Sequence, residues 1–381
     1  MREGWEYKKL GEVGQIITGS TPSTKDSENY ATSDYCFFKP SDLPTDSIGH
    51  LSSSEYHISK KAFSSSRKLP KGSVLVSCIG SIGKVGILEL DAVSNQQINS
   101  IIPYSSIDST FLALAILSIK DEMTAKANAP VVPIINKTDF SNFKIPIPPL
   151  SEQQHIVSEL DLLSSIIEKK KEQLKELDNL AQSIFYDMFG DPVTNEKGWV
   201  VKKLGEIGTI VAGSTPSTND EFNWDGDVNW VTPAELGEQL YYGETERKLT
   251  EKGAKGLTIM PVGTVLLSSR APIGKLAITT EPMCCNQGFK NVICGKNLNN
   301  IFLYFFLKQT MDLVQALGRG ATFKEVSKSA ISSYNIILPP LPLQQQFASK
   351  IEAIEQQKEL IKQSIKEVET LFNSRMDYYF T

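Results

Sequence analysis

The stretch that decides the fold is WEYKKLGEVGQIITGSTPST, residues 5–24, because it occurs twice in the chain. It returns as WVVKKLGEIGTIVAGSTPST, residues 199–218, and 14 of the 20 aligned positions are identical. Unrelated segments do not reach this level of identity by chance. The chain therefore contains a duplicated unit, and a repeat decides the architecture before any local element is considered.

The duplication extends along the whole chain at a nearly constant offset. The offset is 194 residues at these two stretches, and it becomes 191 where GSVLVS, residues 72–77, matches GTVLLS, residues 263–268. It is still 191 where Pro-Pro-Leu at 148–150 matches Pro-Pro-Leu at 339–341. The copies differ by three residues of net insertion, so we expect them to share one fold.

Each copy begins with a segment of short strands and turns. Strands such as Val74–Cys78 alternate with Gly and Pro, and one helical stretch is predicted over Phe111–Met123. This pattern is typical of a compact α/β module of mixed strands and helices.

A long helix is predicted to follow. Three prolines at 146, 148 and 149 precede residues 151–188, which contain neither Gly nor Pro. Ser151 with Gln154 resembles an N-terminal capping box, and Gly190 with Pro192 provides a stop. The predicted domains are therefore 1–150, 151–190, 191–341 and 342–381, the second and fourth being long helices.

Apolar residues in both helices follow the alternating four- and three-residue spacing of a coiled-coil seam. Lys170 interrupts the first seam, and Lys358 and Arg375 interrupt the second. A helix of roughly 35 residues is about 50 Å long, which exceeds the width of a 150-residue domain. We therefore expect an α/β (α+β) fold in which two repeated modules are separated by an antiparallel coiled coil, rather than helices lying each on its own module. The predicted seam contains Ile156, Leu160, Leu163, Ile167, Leu174, Leu177, Ala181, Ile184 and Met188, and Phe347, Ile351, Ile354, Ile361, Ile365, Val368 and Phe372.

Composition excludes several classes of protein. The 381 residues carry 39 Lys+Arg and 44 Asp+Glu, and no apolar run approaches the roughly 18 residues of a membrane span. The polar N-terminus lacks the apolar core of a secretion signal, so we expect a cytoplasmic protein without a membrane partner. Five cysteines without a C-x-x-C pair predict reduced, mostly buried thiols rather than disulfides or a zinc site.

Motifs for catalysis are missing from the sequence. The three histidines, His50, His57 and His155, do not form a metal-binding pattern and are expected to be solvated surface residues. Gly80–Lys84 superficially suggests a phosphate loop, but Val85 stands where Ser or Thr would bind magnesium. There is no G-x-G-x-x-G and no Asn/Asp-Pro-Pro-aromatic motif. We therefore predict no catalytic residue and no metal site.

The order of motifs resembles that of the specificity subunit of type I restriction-modification enzymes, over the whole chain. Two diverged modules are each followed by a heptad helix that Pro-Pro-Leu and Gln-Gln introduce. The motifs that carry the resemblance are Trp199–Glu206, Gly213–Ser217, Pro272–Lys275, Asn286–Gly288, Pro339–Leu341 with Gln344–Gln345, and the connecting Phe189–Pro192.

This resemblance implies a role in DNA recognition. By this resemblance, each module is expected to be a target recognition domain that reads one half of an asymmetric, bipartite site in double-stranded DNA, with the paired helices setting the spacer. Two methylation subunits are expected to dock on the helices and to carry S-adenosylmethionine, while separate restriction and translocation subunits use ATP and magnesium. The chain itself is expected to bind no cofactor.

The net charge of −5 is unusual for a DNA-binding protein, which is expected to be basic. Residues 1–150 and residues 191–341 each hold 15 basic and 15 acidic side chains, whereas residues 151–190 hold 4 basic and 8 acidic ones. Residues 342–381 hold 5 and 6. Because the acidic excess lies in the helices, these suit protein contact, and the isolated chain is expected to bind DNA weakly.

Candidate DNA contacts lie in turns of the modules. Arg270 has the donor geometry for guanine, with a surface ion pair as an equally good alternative. Lys84 and Lys275 occur in both copies, which favours a phosphate contact, against a capped turn at even odds. Shared amides can read adenine but more often hold turns together. The full set of candidates is Ser77, Ser81, Lys84, Asn95, Gln96 and Asn128 in the first copy, and Ser268, Arg270, Lys275, Asn286, Gln287, Arg319, Thr322 and Lys324 in the second.

Two alternatives remain open at this point. The first is a specificity subunit of a type II system that cuts outside its site, which shares this architecture and differs in its partner chain. The second is a noncatalytic protein-binding scaffold whose modules bind no nucleic acid. The sequence does not indicate the half-sites, the spacer or the side chains that contact bases.

Overall fold

The computed structural model describes residues 4–45, 47–127, 132–270, 272–318 and 324–381. The chain forms two compact units. Unit 1 consists of Met1–Lys170 with Gln363–Thr381, and unit 2 consists of Lys171–Lys362. Each unit therefore contains one module, part of the first long helix and part of the second. This grouping differs from the predicted division into four consecutive segments. The four segments describe the order along the chain, whereas each unit combines residues that are in contact in space.

Within its described residues, the module of unit 1 contains three sheets, of which the largest has the strand order β2-β9-β6-β7-β4. A three-stranded sheet has the order β5-β3-β8, and β1 pairs with β10. Pairing is antiparallel except in β4–β7 and β3–β8. The elements are β1 (Glu6–Lys9), α1 (Leu10–Val13), β2 (Gly14–Thr18), β3 (Tyr35–Phe38), β4 (Ile48–Leu51), β5 (Tyr56–Ile58), α2 (Lys60–Ser65), β6 (Val74–Ser77), β7 (Val85–Leu88), β8 (Val93–Ser94), β9 (Ile98–Pro103), α3 (Ser109–Ser118), α4 (Lys120–Lys126), α5 (Lys137–Asn142), β10 (Lys144–Ile147) and the long helix α6 (Leu150–Phe189).

The module of unit 2 repeats this topology strand for strand. Its sheets have the orders β12-β19-β16-β17-β14, β15-β13-β18 and β11-β20. The prediction of one shared fold is thereby confirmed. The elements are β11 (Val201–Lys203), α7 (Leu204–Ile207), β12 (Gly208–Ala212), β13 (Trp224–Val231), β14 (Tyr241–Tyr242), β15 (Arg247–Leu249), α8 (Glu251–Ala254), β16 (Val265–Leu267), β17 (Leu276–Thr279), β18 (Met283–Cys285), β19 (Lys290–Cys294), α9 (Asn300–Gln309), α10 (Met311–Ala316), α11 (Lys328–Ser332), β20 (Asn335–Ile337) and the long helix α12 (Leu341–Phe380).

A buried helix forms the centre of each module. Residues 111–116 of α3 and 301–307 of α9 are all buried, which their continuous apolar sequence permits. Asp108 caps α3 and Asn299 caps α9, each by accepting hydrogen bonds from the backbone N–H groups of the second and third helical residues. The predicted single helix Phe111–Met123 is wrong at one point, because the chain breaks at Ile119 (φ −98°, ψ 14°) between α3 and α4.

The long helices begin earlier than the capping pattern predicted. Helix α6 starts at Leu150, and the backbone N–H groups of Glu152 and Gln153 donate to the carbonyl oxygen of Pro149. Ser151 is therefore not the cap but an exposed residue of the first turn. The predicted stop is confirmed, since Gly190 has a φ of +75° and its N–H donates to the oxygen of Tyr186.

Candidate DNA interface and helix pairing

Three segments converge in each module and form what we call the turn surface. In unit 1 these are residues 19–24, 78–84 and 95–97, and in unit 2 residues 213–218, 269–270 with 272–275, and 286–288. The N–H of Ser20 donates to the oxygen of Ser94 (2.8 Å), and that of Cys78 to the oxygen of Gln97 (2.8 Å). In unit 2, Ser214 and Ser269 make the equivalent bonds to Cys285 and Gly288. The structure thus brings together candidates that are far apart in sequence.

Close approach of the backbone explains the glycine of the repeated Gly-Ser-Thr-Pro motif. A Cβ atom added to Gly19 would lie 2.1 Å from the carbonyl oxygen of Asn95. One added to Gly213 would lie 2.1 Å from the oxygen of Asn286. Only glycine fits at these positions, so this part of the motif serves the fold of the turn surface.

Ser77 and Ser268 support the turns from inside, which corrects their predicted role as DNA contacts. Both are fully buried. The Ser77 hydroxyl donates to the oxygen of Ser81 and accepts from the N–H of Lys84. The Ser268 hydroxyl donates to the oxygen of Pro272 and accepts from the N–H groups of the two residues before β17. Both hydroxyl groups therefore make their hydrogen bonds with other groups of the chain.

Lys84, Lys275 and Ser81 lie at the edge of the turn surface. Ser81 is exposed and both lysines are half-buried. The Lys84 amine lies 3.4 Å from the oxygen of Pro40, and the Lys275 amine 3.4 Å from the oxygen of Ala234. Each ammonium has three donors, and one of them makes this long bond. A phosphate contact by the remaining donors stays a prediction.

In each module, two neighbouring amide residues of the turn surface have different roles: the asparagine holds the turn and the glutamine is exposed. Asn95 and Asn286 hold their turns, because their side-chain oxygens accept from the N–H of Gln97 (3.1 Å) and of Gly288 (2.8 Å). Asn95 is also buried, so its predicted contact with adenine is not supported. Gln96 and Gln287 are exposed.

The side-chain oxygens of the two exposed glutamines are already engaged. Thr21 donates to that of Gln96, and Thr215 to that of Gln287. Bidentate adenine recognition needs both the oxygen and the nitrogen of the amide. Each oxygen can still accept one more hydrogen bond through its second lone pair, and both amide hydrogens stay available as donors, so an adenine contact stays a prediction.

Arg270 forms the predicted ion-pair alternative. Its Nε lies 3.0 Å from Glu325 Oε2, and the Lys290 amine lies 3.2 Å from Glu325 Oε1. Burial alone would raise the pKa of Glu325, but the hydrogen bonds from Lys290 and Arg270 outweigh it and lower that pKa. Guanine recognition by Arg270 stays a prediction. Lys324 is exposed beside Glu325, and the candidates Asn128, Arg319 and Thr322 lie outside the described residues.

In unit 1 the start of α6 pairs with the end of α12. Ile156 and Leu160 share the module core with Met376, Tyr379 and Phe380, and the half-buried Leu163 and Phe372 pack against it. The two helices are therefore antiparallel in this unit. Glu159 forms a two-pronged ion pair with Arg375 (2.5 and 2.8 Å) and accepts from the Tyr379 hydroxyl (2.6 Å).

In unit 2 the end of α6 pairs with the start of α12, again antiparallel. Ala181, Phe347, Ile351 and Ile354 are buried in its core, against which Leu177, Ile184 and Met188 pack. Lys358 donates to Asp178 (2.8 Å) and Glu355 (2.7 Å), so both predicted interruptions of the second seam are ion-paired. Of the other predicted seam residues, Ile167 and Ile365 are buried, and Leu174, Ile361 and Val368 are half-buried.

The heptad pattern missed residues on a second face of the helices. Phe185 and Phe189 are fully buried, with ring centroids 5.9 and 4.8 Å from that of Phe302 in α9. Met376 and Phe380 hold the equivalent positions in unit 1. The end of α6 in unit 2 and the end of α12 in unit 1 therefore each contact both the partner helix and the module. The sequence signal that could have predicted this second face is the clustering of large apolar residues outside the heptad positions.

No group of three His, Cys, Asp or Glu that could hold a metal occurs among the described residues. All five cysteines have free thiols. Burial raises the pKa of the Cys78 thiol to about 12.

His57 is half-buried, with its Nε2 3.8 Å from Cys36 Sγ, so it is not the solvated residue we expected. Within the described ranges, none of the helices is long and apolar enough to cross a membrane.

Comparison with known proteins identifies the chain. The family model described as the type I restriction modification DNA specificity domain matches residues 2–178 and 196–370. The type I restriction enzyme MjaIX specificity subunit of Methanocaldococcus jannaschii is 26% identical over 380 residues, covering 92% of this chain and 86% of that protein. The HindI specificity subunit of Haemophilus influenzae is 32% identical over 184 residues, which cover 46% of this chain and 40% of the relative.

Solved structures share the fold. One solved chain comes from a study of complex assembly and conformational transition in a type I restriction-modification system. It has a TM-score of 0.64 at 21% identity, and the match covers 99% of this chain and 97% of the solved chain. The S subunit of a type I system from M. genitalium has a TM-score of 0.59 at 14% identity, with coverages of 99% and 96%.

Two modules of one topology, each followed by a long helix, define a chain with two target recognition domains. The chain belongs to the type I restriction modification DNA specificity domain family. It is a type I restriction-modification specificity subunit.

Proposed function

We propose that each module reads one half of an asymmetric, bipartite site in double-stranded DNA and that the antiparallel helices set the spacer between the halves. The observation that carries this proposal is the pair of turn surfaces, which have the same backbone contacts but different side chains at aligned positions such as Ile79 and Arg270. Arg270 and Glu325 form a backbone bridge where Ile79 and Ile134 form the same bridge in unit 1. A shared frame with different side chains suits two readers of different sequences.

Partner subunits complete the proposed complex. Two methylation subunits dock on the helices and carry S-adenosylmethionine, and restriction and translocation subunits use ATP and magnesium. The acidic excess of the first helix, with 4 basic and 8 acidic side chains in residues 151–190, supports protein rather than phosphate contact there. The partners then supply much of the phosphate binding that neutral modules lack.

Insertion of one heptad into each helix tests the proposal, after Lys171 in α6 and after the aligned Lys362 in α12. Seven residues lengthen a helix by about 10 Å, or about three base pairs at 3.4 Å each. We expect a map of methylated adenines, from cells that carry the variant and its partners, to show unchanged half-sites and a longer spacer. A folded variant with an unchanged spacer would contradict the role of the helices.

A separate experiment addresses the alternative of a scaffold that binds no DNA. A scaffold without DNA binding is indicated if a mobility-shift assay with the methylation subunits shows no DNA complex.

A further inference from the structure

One glutamine in each unit is fully buried at the fourth residue of a long helix. These are Gln153 in α6 and Gln344 in α12, at aligned positions of the two copies. A polar side chain at this depth requires partners, because an unpaired buried amide is destabilising. The next residues, Gln154 and Gln345, are also shared by the copies and are exposed.

The buried glutamines make the same three hydrogen bonds. The Gln153 oxygen accepts from the N–H of Asp108 (2.9 Å), and its nitrogen donates to the oxygens of Ser106 (3.1 Å) and Pro148 (2.9 Å). In unit 2, Gln344 accepts from the N–H of Asn299 (2.8 Å). It donates to the oxygens of Asn297 (3.2 Å) and Pro339 (2.7 Å). Both amide hydrogens of each glutamine are thus used.

These bonds join the long helix to the central helix of the module. Asp108 and Asn299 are the residues that cap α3 and α9. Every partner atom belongs to the backbone, so the contact does not depend on which side chains the loop carries. The loop has Ser106 and Asp108 in one copy and Asn297 and Asn299 in the other, while the glutamine is unchanged. The contact has therefore been kept while the modules diverged.

We infer that Gln153 and Gln344 are positioning residues that fix the angle at which each recognition module stands on its long helix. The inference rests on the proposed function, since that angle sets the distance between two half-sites. A module of 150 residues is roughly 30 Å across, so rocking by ~10° moves its far side by about 5 Å, or more than one base pair. Without the glutamine, the module rocks and the spacer is no longer unique.

The test uses the full chain with its partner subunits and compares Gln153→Ala and Gln344→Ala with Gln154→Ala and Gln345→Ala. The readout is the methylation of half-site pairs whose spacer is one base pair longer or shorter than normal. We expect at least a tenfold rise for the buried glutamines and no change for the exposed ones. Gln153→Met, which keeps the side-chain length and loses all three bonds, replaces the alanine variant if that fails to fold.

The control for a purely structural role is Val76→Ala, which truncates a buried residue of β6, a strand to which none of the hydrogen-bond partners of Gln153 belongs. This variant should lower methylation at one unchanged spacer. The same result for Gln153→Ala would overturn the inference.

Hydrogen exchange of the backbone amide of Asp108 in the folded chain tests the contact independently of DNA. We expect Gln153→Ala to speed this exchange at least tenfold relative to Gln154→Ala, and an unchanged rate would also overturn the inference. A wild-type methylation map without a bipartite site would instead contradict the proposed function. The two failures are therefore distinguishable.

Discussion

The junctions between module and helix occupy the same positions in the two units but contain different side chains. Unit 2 has Phe185, Phe189, Phe302 and Phe347, whose rings contact one another at centroid distances of 4.8 to 5.9 Å. At the aligned positions, unit 1 has Met376, Phe380, Phe111 and Ile156, with one ring pair at 5.4 Å. The comparison teaches that the fold requires an apolar junction and tolerates different ways of filling it.

The two units also differ in charge at and beside the turn surface. Unit 2 has Arg270, Lys290 and Glu325 in one ion-pair network, whereas the aligned residues of unit 1 are Ile79, Asn99 and Ile134. The backbone bridge between the first and third positions is the same in both units. Divergence at the turn surface therefore changes which chemical groups are presented without changing the frame that presents them.

The largest expected effect tests the junction. Phe347→Ala removes a buried ring that lies 5.3 to 5.7 Å from three other aromatic rings and should destabilise unit 2 by about 3 to 5 kcal/mol. Ile156→Ala at the aligned position should destabilise unit 1 by about 2 to 5 kcal/mol and less than the phenylalanine change. Chemical denaturation measures the loss in the free energy of unfolding, and hydrogen exchange shows in which unit this loss occurs.

The control is Phe222→Ala, which truncates a phenylalanine that is 78% exposed. It should change stability little, because the ring has little surface to lose from the core. If Phe347→Ala were as mild as this control, the aromatic cluster would not be what joins helix and module in unit 2.

An intermediate effect tests the charged turn surface. Glu325→Ala leaves the Lys290 ammonium, whose side chain is 8% exposed, without its carboxylate. We expect a loss of about 1 to 3 kcal/mol, the range for a buried polar group that loses its partner. Lys290→Asn, which introduces the residue of unit 1, should recover part of the loss in the Glu325→Ala background.

A double-mutant cycle in chemical denaturation measures this coupling. Contacting residues of one network usually couple by about 0.5 kcal/mol or more. Additive losses from the two substitutions would show that Lys290 is stabilised by its other neighbours, Ser269 and the oxygen of Gln287.

Sequence identity between the copies predicted the repeat, and the apolar periodicity predicted much of the seam of the two helices, because heptads report contacts between neighbouring turns. It did not predict Phe185 and Phe189, which contact the module on a second face. Nor did it distinguish the buried Gln153 from the exposed Gln154, since both precede the apolar pattern. The pair of Arg270 and Glu325 joins residues 55 positions apart, and no local spacing encodes such a contact.

The smallest expected effect concerns the polar residues between the helices, which differ in kind between the units. In unit 1, hydrogen bonds from Arg375 and then Tyr379 lower the pKa of Glu159. A carboxylate with a lowered pKa stabilises the fold above its unfolded pKa of about 4.3, and this contribution is lost as the pH falls through the folded value. Glu159→Gln should therefore cost about 1 kcal/mol or less at pH 7, since the pair is partly solvated.

The pH dependence of stability tests the contribution of this pair. Hydrogen exchange of unit 1 should report a loss of stability as the pH falls below about 4.3 in the wild type and a smaller loss in Glu159→Gln. Glu168→Gln, an exposed glutamate of the same helix, serves as the control and should retain the wild-type profile. If both variants followed the wild type, the contact of Glu159 with Arg375 and Tyr379 would not stabilise the fold. The helix pairing in unit 1 would then rest on its apolar seam, while Lys358 of unit 2, held by Asp178 and Glu355, would remain the polar contact that favours one register.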